Sequence, residues 1–169
     1  LIEFAVSDLQ GLLHAGVNDY RVLIDCIDLK SDLARMQDAT TLEFNAIIRD
    51  DLCLLGQCFS NLLVGVGRYR RGELFSARQA ITVSALTSLL RLIAKHFPTE
   101  YSGILDNLDS LRRFEFVYPE YAEEINSLLR LDLDKAAIGL LDFTDSLLRD
   151  SISNYPVAAF EVIRQKLLT

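Results

Sequence analysis

Six apolar residues, Ile48, Leu52, Leu55, Phe59, Leu62 and Val66, recur at alternating intervals of four and three, the spacing that stacks side chains on one face of an α-helix. A stripe of this kind must be covered by other elements, so the chain has to build a helical core around it. The most apolar run, Leu52 to Val66, is about fifteen residues long and includes Gln57, Ser60 and Asn61. It falls short of the roughly twenty residues that cross a bilayer and reads as a buried helix. Its start is expected near Thr40 or Thr41, where threonine caps and Glu43 adds first-turn negative charge, and its end at Arg68, Arg70 and Arg71 before Gly72. A second long helix is expected from Glu73 to His96, closed by Pro98, and the short connection makes the pair antiparallel. Further helices are expected from Tyr101 to Arg113, Pro119 to Arg130, Leu133 to Ser151 and Pro156 to Leu168. The fold class is thus mainly α, a bundle of five or six helices, with Leu55, Phe59, Leu62 and Leu86 fully buried.

A chain of 169 residues, half of them hydrophobic and only three of them proline, can bury a core without cross-links or oligomerisation. Seventeen basic against 24 acidic residues give a net charge of -7, which repels phosphate backbones and anionic lipid heads. Nucleic acid and membrane partners are therefore disfavoured, whereas a local basic patch or a preference for cationic small molecules is allowed. Cys26, Cys53 and Cys58 lack zinc-ligand spacing, and His14 and His96 lie far from one another in sequence, so no metal site is expected from these residues. Cysteine usage of this kind fits a reducing, cytoplasmic setting.

The chain opens at Leu1 inside an apolar pattern and reads as the later part of a longer protein. In residues 1 to 6, Ile2, Phe4 and Val6 alternate with Leu1, Glu3 and Ala5, the period of a strand, which sets Glu3 on an otherwise apolar face. A short amphipathic stretch, Leu9 to His14, separates this strand from a second, Tyr20 to Ile24, that stops at Asp25. Two strands make no stable sheet alone. The expected division is residues 1–30 as the end of a sheet domain and residues 31–169 as the helical bundle.

The order of these features resembles the later half of antibiotic nucleotidyltransferases. Glu3-Phe4 on a strand, Tyr20 to Asp25, Phe59-Ser60-Asn61-Leu62 on a long helix, and Arg70-Arg71-Gly72-Glu73 with Ala77 carry the likeness. It spans roughly residues 1 to 100, is nearest to the lincosamide enzymes, and includes the aminoglycoside enzymes of the same superfamily. The resemblance implies a polymerase-beta-like α+β domain to which the two strands belong, with Gly-Ser and Asp-x-Asp motifs upstream, followed by a helical bundle that shapes the acceptor pocket. It further implies Mg2+ and a nucleoside triphosphate as co-substrate, an antibiotic hydroxyl as acceptor, and Glu3 as the base that takes the hydroxyl proton. Asp132-Leu133-Asp134 stands in a helical context, so the metal-binding aspartates of the resembled enzymes have no counterpart here, and Cys26 replaces the usual lysine or proline after Asp25. A homodimer is compatible with this reading.

Other residues carry alternatives. Gln57 and Asn61, one turn apart, present amides either to a substrate or to neighbouring backbone. Arg71, with Arg68 and Arg70, matches nucleotide phosphates or simply favours a helix C-terminus, and Arg112-Arg113 reads in the same way. Asp106 with Asp109 and Asp142 with Asp145 either attract a cationic antibiotic or form solvated faces. Arg91 and His96, separated by four residues, resemble the Arg-x4-6-His motif of HEPN-type ribonucleases, in which histidine moves the 2'-hydroxyl proton. A non-catalytic helical interaction module is the remaining alternative.

Overall fold

The computed structural model describes residues 6–17, 20–48, 50–106 and 108–169, with side chains for all of these except 43–48. The chain runs through α1 (Leu9–Leu13), α2 (Lys30–Ile48), α3 (Asp51–Arg70), α4 (Leu74–Gln79), a π-helical turn (Ala80–Ala85), α5 (Leu86–His96), α6 (Phe114–Val117), α7 (Pro119–Leu129), α8 (Leu133–Leu148) and α9 (Val157–Leu168). Among the described residues there is no strand, and no helix is long and apolar enough to cross a membrane.

Helix α3 is the axis of the bundle. Its stripe Leu55, Phe59, Leu62 and Val66 is buried, as is the neighbouring row Leu54, Cys58 and Gly65. The hairpin partner α4–π turn–α5 packs along one side, and α8 and α9 close the core from the other. Leu55 and Leu62 have no exposed surface, and Phe59 and Leu86 are buried as expected from the periodicity; each such side chain contributes about 1.5–3 kcal/mol of transfer free energy. The hairpin turns at Gly72, which takes φ 80°, a left-handed conformation that glycine adopts without a Cβ clash. Arg68 and Arg70 occupy the last turn of α3, and Arg70 donates to the carbonyls of Lys166 (3.3 Å) and Leu167 (2.6 Å) at the end of α9. Two basic side chains thus complement the carbonyl end of α3, and one of them also ties down α9.

Four expectations are corrected. The helix expected from Thr40 or Thr41 to Arg71 is two helices, because the Asp50 carboxylate caps a new start by accepting from Cys53 N–H at 3.0 Å. Thr40 lies inside α2, where its hydroxyl donates to Met36 O at 2.8 Å and accepts from Val17 N–H at 3.0 Å; threonine satisfied this way need not cap. Residues 20–24 are not a strand, and Leu23 and Ile24 are 82% and 85% exposed. Among the described residues no strand pairs their backbone, and Asp25 instead folds the chain into the start of α2 by accepting from Ile27 and Leu29 N–H. The two-strand expectation therefore fails at its second strand; the first, residues 1–5 with Glu3, lies outside the described residues. Finally, the helix expected over Tyr101 to Arg113 is a short 3-10 turn, Ser102–Ile104, followed by turns. Asp106 accepts from Leu108 N–H and Asp109 from Leu111 N–H, both at 3.0 Å. Aspartates that bond nearby backbone in this way compete with helix formation. Arg113, at φ 65°, ends the segment in a left-handed conformation before α6.

Candidate functional site

The antiparallel pairing of α3 with the α4–π turn–α5 rod determines which polar residues meet. Gln57 and Ser88 stand fifteen and sixteen residues on either side of Gly72, and Asn61 and Ser84 eleven and twelve. Residues equidistant from the turn of a helical hairpin lie side by side, and these four, with Asp50, Cys53, Leu54 and Arg91, line one cavity of about 660 Å3. It is a polar groove open to solvent on one flank of an apolar hairpin.

Each wall has a local cause. On α3 the groove side carries Gln57, exposed, and Asn61, half-buried, and Asn61 Nδ2–H donates to Gln57 O at 2.8 Å. That bond fixes the Asn61 side chain along the helix and leaves its Oδ1 and the whole Gln57 amide without an intramolecular partner among the described residues. On the facing rod, the wider π turn separates Ser84 from the regular spacing of α5, and Ser88 Oγ donates to Ser84 O at 3.4 Å. Single π turns inside α-helices recur where side chains must be re-aimed. One turn further, among the described residues Arg91 has a buried Nε–H that is bonded to nothing and a guanidinium that pairs with no carboxylate. An unpaired guanidinium, two amide groups and two hydroxyls offer a ligand donors and acceptors on both walls.

Immediately beyond the groove the hairpin is locked by charge. Asp51, in the first turn of α3, accepts from Lys95 Nζ at 2.7 Å and from His96 Nε2 at 3.0 Å. Burial raises the pKa of this carboxyl, and the hydrogen bonds from Lys95 and His96 with their charges more than offset that, leaving it below the usual carboxylate value. His96 is thereby held against Asp51, and it is not among the residues lining the groove that Arg91 lines.

The remaining candidate residues are placed elsewhere. Arg71 caps the far end of α3 and pairs with Glu73 at 2.7 Å in an exposed ion pair, about 15 Å along the helix from Asn61 at 1.5 Å per residue. It therefore does not share the groove. Asp142 pairs with Arg164 of α9 through contacts of 2.7 and 3.1 Å, and Asp145 receives two bonds of 2.9 Å from Arg149. Arg112 reaches Asp106 at 3.2 Å. The Asp142–Arg164 pair joins α8 to α9, whereas Asp145–Arg149, Asp106–Arg112 and Arg71–Glu73 are local pairs between residues close in sequence. No three His, Cys, Asp or Glu side chains among the described residues converge to hold a metal ion.

Asp50, Ser84 and Ser88 escape a reading that treats each helix by itself. The signal that finds Ser84 and Ser88 is their near-equal distance from Gly72 to that of Asn61 and Gln57. The chain matches no protein-family model, no curated protein and no solved structure.

Proposed function

We propose that this chain is the acceptor-binding portion of a nucleotidyltransferase that transfers a nucleoside monophosphate from NTP to a hydroxyl of a lincosamide or aminoglycoside, with the groove between α3 and α5 holding the acceptor. The observation that supports this reading is the convergence of Gln57, Asn61, Ser84, Ser88 and Arg91 on one cavity of about 660 Å3, a size suited to a drug-sized molecule. Amide and hydroxyl groups recognise the alternating donors and acceptors of a sugar, and a site built on two packed helices holds them in fixed register. Glu3, outside the described residues, takes the role of base toward the acceptor hydroxyl in the likeness to these enzymes, and the nucleotide and Mg2+ belong to residues other than those described.

The test is a titration of the 15N-labelled chain with a panel of lincosamides and aminoglycosides. Saturable shifts centred on residues 57, 61, 84, 88 and 91, weakened about tenfold or more by Asn61→Ala or Arg91→Leu, are expected. Binding elsewhere, or no binding of any member, would remove the groove from the mechanism. RNA cleavage abolished by His96→Ala would instead favour the ribonuclease reading.

A further inference from the structure

A second cavity, of about 700 Å3, opens where α5 ends and the chain turns from α6 into α7. None of the residues lining the polar groove lines it. Its wall is aromatic and already assembled: Phe97 meets Tyr121 edge-on with ring centroids 5.7 Å apart, and Tyr121 stacks on Tyr118 at 6.1 Å with an interplanar angle of 22°. Phe116 and Tyr101 stand on the rim, 76% and 55% exposed, and Phe116 in particular leaves nearly a whole ring in water.

The charge around these rings has one sign. Glu100 and Glu120 line the cavity, whereas among the described residues no lysine, arginine or histidine does. Neither glutamate has an ion-pair partner among the described residues. The cavity also abuts the C-terminal end of α5, where unsatisfied carbonyls contribute partial negative charge, while Lys95 of that last turn is drawn to Asp51. An anion entering this space would meet two carboxylates, and a sugar would find mostly ring faces. An organic cation meets both requirements, because ring faces attract a positive charge through their quadrupole and the carboxylates add direct attraction.

We propose that this aromatic cavity is a binding site for a small organic ammonium ion carrying an apolar group. Tyr118 is only 4% exposed, packed between Phe114 and Tyr121, and backs the cavity; the cationic head lies against Tyr101 and Tyr121 between Glu100 and Glu120, and the apolar body covers Phe116. The proposal is independent of the acceptor-groove reading, since it uses none of the same residues.

The probe is benzyltrimethylammonium, titrated into the 15N-labelled chain beside neutral benzyl alcohol and anionic benzoate. Saturable binding of the ammonium in the low millimolar range or tighter is expected, about tenfold or more stronger than that of the other two, with shifts at residues 97–101 and 116–121. The Glu100→Gln/Glu120→Gln double variant should weaken it about tenfold, and Phe116→Ala about fivefold. Both changes are at exposed positions, and circular dichroism should show the fold retained. Asn61→Ala, in the groove, should leave the affinity unchanged. Absence of saturable ammonium binding, benzoate or benzyl alcohol binding as tightly, shifts centred elsewhere, or full affinity in the double glutamine variant would each overturn the assignment.

Discussion

Asp51 in the first turn of α3 and Lys95 in the last turn of α5 meet at 2.7 Å, clasping the open end of a hairpin whose other end turns at Gly72. His96 adds a second bond to the same carboxylate oxygen at 3.0 Å. Asp51→Asn keeps the shape of the side chain, removes its charge, and should lower Tm by about 2–6 °C near neutral pH. Because the folded carboxyl titrates below its ordinary value of 3.8, its contribution is complete above that value and is lost as pH falls through the lower folded one. The Tm difference between parent and variant should therefore be full at neutral pH and close as pH falls below 3.8 through the lower folded value. A gap that widened with acidification would contradict the clasp.

Leu62, with no exposed surface, sits at the centre of the stripe on α3. Leu62→Ala should cost about 2–5 kcal/mol in urea denaturation, through lost transfer energy and the cavity left behind. A midpoint equal to the parent's would show that α3 is not the axis of the core.

Two glycines of the same helix should respond with opposite signs. At Gly65 a Cβ would overlap Ile81 Cγ1 and lie 3.0 Å from its Cδ1 and 3.4 Å from the backbone oxygen of Ala77. The helices approach there because no side chain intervenes, and Gly65→Ala should destabilise by about 1–3 kcal/mol. At Gly56 nothing lies within 4 Å of that position, so Gly56→Ala should stabilise by up to about 1 kcal/mol through helix propensity. Equilibrium unfolding of the two variants distinguishes these outcomes, and equal effects would refute the close α3–π turn packing.

The three cysteines should differ in reactivity. Cys26 and Cys53 are exposed and Cys58 is buried. Burial pushes the Cys58 thiol up to about 12, a hydrogen bond with Thr144 opposing it weakly. Iodoacetamide near pH 8 should modify Cys26 and Cys53 in the native chain and reach Cys58 only after unfolding, as read by mass spectrometry. Rapid native labelling of Cys58 would show that the α3–α8 contact opens readily.

The stripe from Leu55 to Val66, the turn at Gly72 and the stop before Pro98 are legible in the sequence because each rests on local chemistry: periodic burial, a glycine free to take positive φ, and an imide without an N–H; Leu52, expected on the same stripe, is instead 49% exposed. Gln57 and Asn61 are legible as a polar pair on the same grounds. The break at Asp50, the irregular course of residues 20–24 and the turns at Asp106 and Asp109 are less so. In each, an aspartate side chain offers backbone N–H groups an alternative to regular structure, and the two choices differ by about 1 kcal/mol, less than a missing partner strand or a packed neighbour decides. The groove and the aromatic cavity lie further still from local pattern. Ser88 faces Gln57, and Tyr121 meets Phe97, only because the hairpin and the α5–α7 corner bring distant segments together. Local sequence specifies which helices form and which of their faces are apolar, whereas burial of those faces against one another, a collective and non-directional force, decides which polar and aromatic residues become neighbours.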